Sequence, residues 1–301
     1  MERYDLSGWR LGRRQLLATA GRLGLGAAAL AGLGPGAGLL AGCGGGSDST
    51  DTGTAVGVNR TGRFYTKRIL QPVEDIAVDI GRTYVELNNG VPVEIGWEAT
   101  LDILSGLPRT AFDDPGIYFM ALPPEADATP FKFMAFSDWG RGHKPVGIGD
   151  APHVHPVVCI APPGAPTDDN RDERVPVADP DEIPEGYVLG DTIPGAGDTI
   201  APGIGEAYEY PEAPQLQPGW NTTAQNYFFY RGHLNGIGMG ASYEFLRAKR
   251  TATLPCTQPR LYPKAGYYPT KNVTTYDNER GVFVFKLTDF VRAARWIGQS
   301  A

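Results

Sequence analysis

Hydrophobic and polar residues alternate with a period of two along much of this chain, and the clearest case comes early. Val93, Ile95 and Trp97 alternate with Glu94, Gly96 and Glu98, the repeat of a strand with one buried face. Between residues 83–87 and this run stands Asn88-Asn89-Gly90, whose last two residues suit the positive φ of a tight turn. The pattern predicts a β-hairpin. Apolar runs at 117–122, 131–136 and 153–160 predict further strands, with a helical turn over 100–107 stopped by Pro108.

Beyond Ala161 the alternation fails. From 161 to 219, prolines, glycines and acids recur every few residues, which reads as a long excursion packed over the sheet, loosest at 161–183. Order returns at 225–230, where QNYFFY is rich in strand-forming aromatics. Residues 234–240 read as a glycine-rich turn, 242–250 as a short helix capped by Ser242, and 282–287 as a strand. Thr288 caps an expected closing helix over 288–297, with Phe290, Val291, Ala294 and Ile297 along one side. The fold class is therefore mainly β: a single antiparallel β-sandwich or barrel-like domain with long loops and a short C-terminal helix.

The first 42 residues stand apart from that pattern. Gly12-Arg13-Arg14-Gln15-Leu16-Leu17 carries a twin-arginine pattern, a weakly hydrophobic Ala/Gly/Leu stretch follows over 23–40, and Leu40-Ala41-Gly42-Cys43 resembles the lipobox of bacterial lipoproteins. Together they predict export, cleavage before Cys43 and lipidation of its thiol. A membrane helix over 16–40 is a poorer reading, because of its many glycines and Pro35. The expected organisation is a twin-arginine lipoprotein signal peptide over 1–42, a lipidated cysteine and flexible tether over 43–62, and a β-rich body over 63–301. Loss of residues 1–42 removes five arginines and two acids, which takes the formal charge from −7 to about −10. So acidic a chain makes nucleic acid an unsuitable partner, and the membrane is reached through the lipid anchor. The expected location is the cell envelope, outside the inner membrane.

Candidate chemistry concentrates between residues 137 and 162, SDWGRGHKPVGIGDAPHVHPVVCIAP, which hold three of the four histidines. His153 and His155 are two apart, so in a strand both imidazoles project from one face and can share an ion. With His143 or Glu206 they form a candidate site for a divalent transition metal. The bland reading is a half-buried turn into a strand, its histidines bonded to backbone or water; Pro152 and Pro156 bracket the pair and place it near a rim. Once Cys43 carries lipid, Cys159 and Cys256 remain, and in an oxidising compartment a disulfide between them is expected. Two buried free thiols, or Cys159 as a soft metal ligand beside the histidines, are the alternatives.

PVEIGWEATLDILSGLP, FKFMAF with SDWGRGHKP, DAPHVHPVV, QNYFFYRGHLNG, SYEFL and PRLYPKAGYYPT together resemble an uncharacterised family of bacterial secreted proteins with GHxP and PHFDxHF-type motifs. The resemblance spans roughly 64–291 with gaps and implies a single β-rich domain, with no established reaction. Gly142, His143 and Pro145 fall on the first motif, Pro152 and His153 on the start of the second. There the match degrades: the family's aspartate falls on His155 and its second histidine on Val157. Where the family carries a histidine after a Pro-Gly-Met-Gly turn, this chain reads Pro202-Gly203-Ile204-Gly205-Glu206-Ala207-Tyr208. His155 and Glu206 are the residues that compensate if the family's set binds metal.

Other catalytic templates are missing from the sequence: there is no GxSxG elbow, HExxH pair or Walker A loop. Gly236 to Gly240 lacks the strand-to-helix context of a dinucleotide fingerprint, and no two acids are marked as a glycosidase couple. The expectation is an envelope-anchored binding or structural module with a small-molecule ligand or homo-oligomeric partner. Its competitor is a metal-dependent enzyme built on His153 and His155 with His143 or Glu206.

Overall fold

The computed structural model describes residues 10–11, 60–73, 76–105, 107, 116–142, 151–160, 178–194, 200–201 and 204–293. Its strands are β1 (Arg10–Leu11), β2 (Gly62–Tyr65), β3 (Ile69–Val73), β4 (Ile76–Asn88), β5 (Val91–Ala99), β6 (Gly116–Ala121), β7 (Phe133–Trp139) and β8 (His153–Cys159). There follow β9 (Val188–Leu189), β10 (Ile200–Ala201), β11 (Gly205–Glu209), β12 (Thr223–Tyr230), β13 (His233–Ser242), β14 (Ala252–Pro255), β15 (Gly266–Asp277) and β16 (Val282–Ala293). A short helix, α1 (Tyr243–Arg247), separates β13 from β14.

Two antiparallel sheets face each other. The first runs β1-β6-β7-β8-β13-β12-β11-β10, with β9 added to β11; the second runs β14-β15-β16-β5-β4-β2, with β3 added to β4. Neither closes on itself, so the domain is sandwich-like and not a barrel. Arg10–Leu11, inside the segment read as an export signal, makes only a two-residue edge pairing with β6.

The β4–β5 hairpin forms where the pattern predicts it. Asn89 and Gly90 turn it at φ 50° and 78°, the positive φ pair that matches the twist of two antiparallel strands. Its inward residues meet the facing sheet at Trp97, fully buried, whose ring lies 4.7 Å from Phe136 of β7 and 5.4 Å from Phe285 of β16. The indole Nε1 donates to Ile80 O at 2.9 Å, so the largest core side chain carries no unmet donor. A serine cap also forms as expected: Ser242 Oγ accepts from Phe245 N at the start of α1. The turn after β5 is a 3-10 helix, Leu101–Leu104.

The first sheet is buried on both faces. Tyr118, Met134, Phe136, Val154, Val158, Ile237 and Met239 face the core between the sheets. Ile117, Phe119, Phe133, Ala135, Val157, Cys159, Ala207 and Phe228 form a second cluster on the outer face. Two-sided burial explains why 131–136 and 157–160 read as continuous apolar runs, without clean alternation.

Two local expectations are overturned. Residues 288–293 are strand, not helix: β16 runs to Ala293 and keeps its register with β15, pairing Phe290 with Pro269 and Arg292 with Tyr267. Asp289, at φ 57°, breaks the alternation so that Leu287 and Phe290 both pack on the core. That spacing of three residues is one a helix also produces. The remainder of the expected helix, 294–297, lies outside the described residues. Residues 234–240 are likewise strand, in β13. Their three glycines fall on the outer face, and the pairing with β12 shifts register between Leu234 and Gly236, so of the core-facing Leu234, Ile237 and Met239 only the last two keep a period of two.

The excursion is described over 178–194 and from 200, while 161–177 lie outside the described residues. Ala178, Ile183, Tyr187 and Leu189 pack on the main core, and the Tyr187 ring sits edge-on to Tyr227 at 4.8 Å. Glu182 fastens this segment, accepting from Leu234 N at 2.7 Å and facing His233 Nδ1 at 3.0 Å.

Candidate functional site

The histidine pair occupies β8, at the rim where Pro152 leads into the sheet. His153 and His155 share the outer face, with ring centroids 5.1 Å apart. His153 is stacked against Trp139 at 6.0 Å, edge-on to Trp220 at 5.1 Å, and its Nδ1 lies 2.6 Å from Ala151 O. The ring is thus held in an aromatic box with one nitrogen engaged by the backbone. The structure does not bring Glu206 to the pair. Glu206 is on β11, three strands from β8, about 14 Å at normal strand spacing, and it alternates with Ala207, which shares the histidines' face. His143 lies outside the described residues, as does Cys43. Among the described residues no three histidine, cysteine, aspartate or glutamate side chains are grouped to hold an ion.

The expected disulfide is also corrected, because Cys159 and Cys256 are both free and buried. Cys159 belongs to the outer cluster of the first sheet and Cys256 to the core between the sheets, so the thickness of a sheet separates them. Cys256 Sγ donates instead to Gln225 Oε1 at 3.3 Å, and burial pushes its thiol up to about 12. Burial raises the Cys159 thiol further still. A thiol kept protonated in this way is a poor soft ligand, and Cys159 stands four residues, about 13 Å of strand, from His155.

A different set of side chains converges on the same outer face. Gly236, Gly238 and Gly240 form a stripe along β13 that leaves room for residues of the flanking strands. A Cβ on Gly240 would overlap His155 Nε2, one on Gly238 would overlap Asn226 Oδ1, and one on Gly236 would crowd Val157. At the level of Gly238 the row continues through Asn226 of β12 to Glu209 of β11, where Asn226 Nδ2 donates to Glu209 Oε1 at 2.9 Å. The connection between β11 and β12 then folds back over this face. Its Gln215 Nε2 donates to Glu209 Oε2 at 2.7 Å, and its Trp220 lies on His153.

Glu209 is the electrostatic centre of this arrangement. Burial pushes its carboxyl up to about 7, against the hydrogen bonds from Asn226 and Gln215 that favour the ion. Both partners are neutral amides, and no cation among the described residues offsets the charge. Beside it, Asn226 Oδ1 and Gln215 Oε1 are buried and make no hydrogen bond among the described residues; Trp220 Nε1, also unmet, lies away from it over His153. Leaving such an atom unmet costs roughly 1–3 kcal/mol, so the two amide oxygens beside one buried acid mark a place built for polar company.

The acids of the second sheet differ in kind. Glu86 and Glu94 meet Arg63 at 2.5 and 2.8 Å, Glu94 also pairs with Lys286, and Glu98 meets Arg82 at 3.0 Å and Arg280. This ladder sets three acids against four cations and holds strands together. In the sequence, Glu209, Gln215 and Asn226 belong to no motif that sets them apart from ordinary loop or strand polar residues. A signal was present: Gln225-Asn226 heads a strand that is otherwise aromatic, and polar residues in a doubly buried strand need partners.

No helix among the described residues is long and apolar enough to cross a membrane. No protein-family model, curated protein or solved structure matches the chain.

Proposed function

We propose that the protein is a lipid-anchored module of the cell envelope that captures a small polar ligand on the outer face of its first sheet. The observation that carries this reading is the pair of unmet buried oxygens, Asn226 Oδ1 and Gln215 Oε1, on the two amides that hydrogen-bond a buried acid. A ligand or ordered water that completes their hydrogen bonds offsets the cost of burying them. The envelope address comes from Arg13-Arg14 and the Leu40-Ala41-Gly42-Cys43 segment.

The full chain, expressed with its own leader and extracted from membranes, tests both halves. Denaturing it and analysing the released small molecules by mass spectrometry should give a polar compound that Asn226→Leu protein lacks. A Cys43→Ala chain should leave the membrane fraction. An identical small-molecule profile from both proteins would count against capture; an unchanged membrane distribution would count against the anchor.

A metal-dependent enzyme is the second reading, favoured by the 5.1 Å approach of the His153 and His155 rings. A backbone carbonyl on one ring nitrogen is the usual way a ligating imidazole is oriented, and Ala151 O stands there on His153. Metal analysis of untagged protein separates the two. Sub-stoichiometric metal, unchanged when both histidines become alanine, removes this reading.

A further inference from the structure

Around Glu209 acceptors outnumber donors. Each carboxylate oxygen receives one amide N–H, from Asn226 at 2.9 Å and from Gln215 at 2.7 Å, and each keeps a further lone pair. The same two amides present Asn226 Oδ1 and Gln215 Oε1 with no partner among the described residues. The nitrogen and oxygen of a carboxamide are about 2.2 Å apart, so each unmet oxygen lies within about 5 Å of the carboxylate oxygen its amide serves. A tetrahedral nitrogen that donates over about 2.8 Å along two of its N–H bonds spans about 4.6 Å, inside that limit. One N–H-bearing centre can therefore bridge a carboxylate oxygen and the neighbouring amide oxygen.

Resting on the capture reading above, we infer that the Glu209 corner binds a small organic ammonium, with its N–H groups shared among Glu209, Asn226 Oδ1 and Gln215 Oε1. An anion meets three acceptor groups here and no charged donor among the described residues. A neutral hydroxyl supplies a single donor. An ammonium supplies three, together with the positive charge that a buried carboxylate with only amide partners lacks. Gly238 contributes by leaving the Asn226 amide free to lie across the strand. Burial alone holds the Glu209 proton to about neutrality, so binding of the cation expels that proton to solvent, and affinity rises as pH rises toward ionisation.

Calorimetry on the full chain in detergent tests this, with methylammonium and 1,4-diaminobutane as probes and acetate and urea as controls. The ammonium probes should bind and the controls should not, with about tenfold tighter binding at about pH 8 than at about pH 6. Glu209→Gln should weaken binding by about tenfold or more. Gln215→Met, a change on the covering connection and outside the sheet, should weaken it by a smaller factor, and it keeps the test alive if the Glu209 variant does not fold. Ammonium binding unaffected by either substitution overturns the inference. Binding of acetate or urea in place of the ammonium probes overturns the ammonium and leaves capture standing. No binding of any probe, with no co-purifying compound, overturns both.

Discussion

Asn226 Nδ2 donates to Glu209 Oε1 across 2.9 Å, while the oxygen of the same amide lies over Gly238 without a partner among the described residues. That one side chain links the buried acid to the unmet acceptors, and it does so only because β13 presents a glycine beneath it.

Folding stability should fall as pH rises from about 4.5 through about 7. The native Glu209 carboxyl holds its proton to about 7, whereas the unfolded chain releases it near the ordinary value of 4.5. Between those limits the native state binds more protons, so its advantage is complete below the lower limit and lost above the upper one. The difference is on the order of 3 kcal/mol. The groups against it are Asn226 and Gln215, both neutral, with Tyr187 the titratable neighbour. Urea denaturation at several pH values should show this slope in the natural chain and a flatter one in Glu209→Gln; equal slopes would contradict the assignment.

Filling the glycine stripe should be costly. Gly238→Ala puts a methyl on Asn226 Oδ1 and Gly240→Ala puts one on His155 Nε2, and overpacking of this kind costs roughly 1–3 kcal/mol. The costs should be coupled to the neighbours: Gly238→Ala should lose less stability in an Asn226→Ala background. Additive losses in that double-mutant cycle would show that the two residues do not press on each other.

Intact mass measured without reductant should show Cys159 and Cys256 unlinked, since Cys159 lies on the outer face of the first sheet and Cys256, just beyond β14 of the second, lies in the core between the sheets. A thiol reagent should modify neither in the native protein and both after denaturation, because both are buried and protonated. A mass lower by two hydrogens would overturn the sheet placement of at least one of them.

Glu182→Ala should loosen the excursion without unfolding the sandwich. The carboxylate, almost fully buried, accepts from Leu234 N and faces His233, and its loss strands a buried donor at roughly 1–3 kcal/mol. Hydrogen exchange should quicken over 178–194 while β5 and β16 stay protected. Uniform acceleration would mean that Glu182 supports the whole fold and not this segment.

Local chemistry was enough to read several parts of this chain. The Asn89-Gly90 hairpin, the serine cap on α1 and the alternation of Val93, Ile95 and Trp97 each follow from residues within a few positions of one another, as does the shared face of His153 and His155. The strand in place of a closing helix turned on Asp289, whose positive φ lets Leu287 and Phe290 face the same way. What decided the site was contact across strands. Glu209, Asn226, Gly238 and Gln215 come from three strands and a connection, and neither their adjacency nor the absence of a cation among them leaves a mark in the sequence order. The separation of Cys159 from Cys256 has the same origin: both thiols read alike along the chain, and only the stacking of two sheets puts one inside the sandwich and the other on its back.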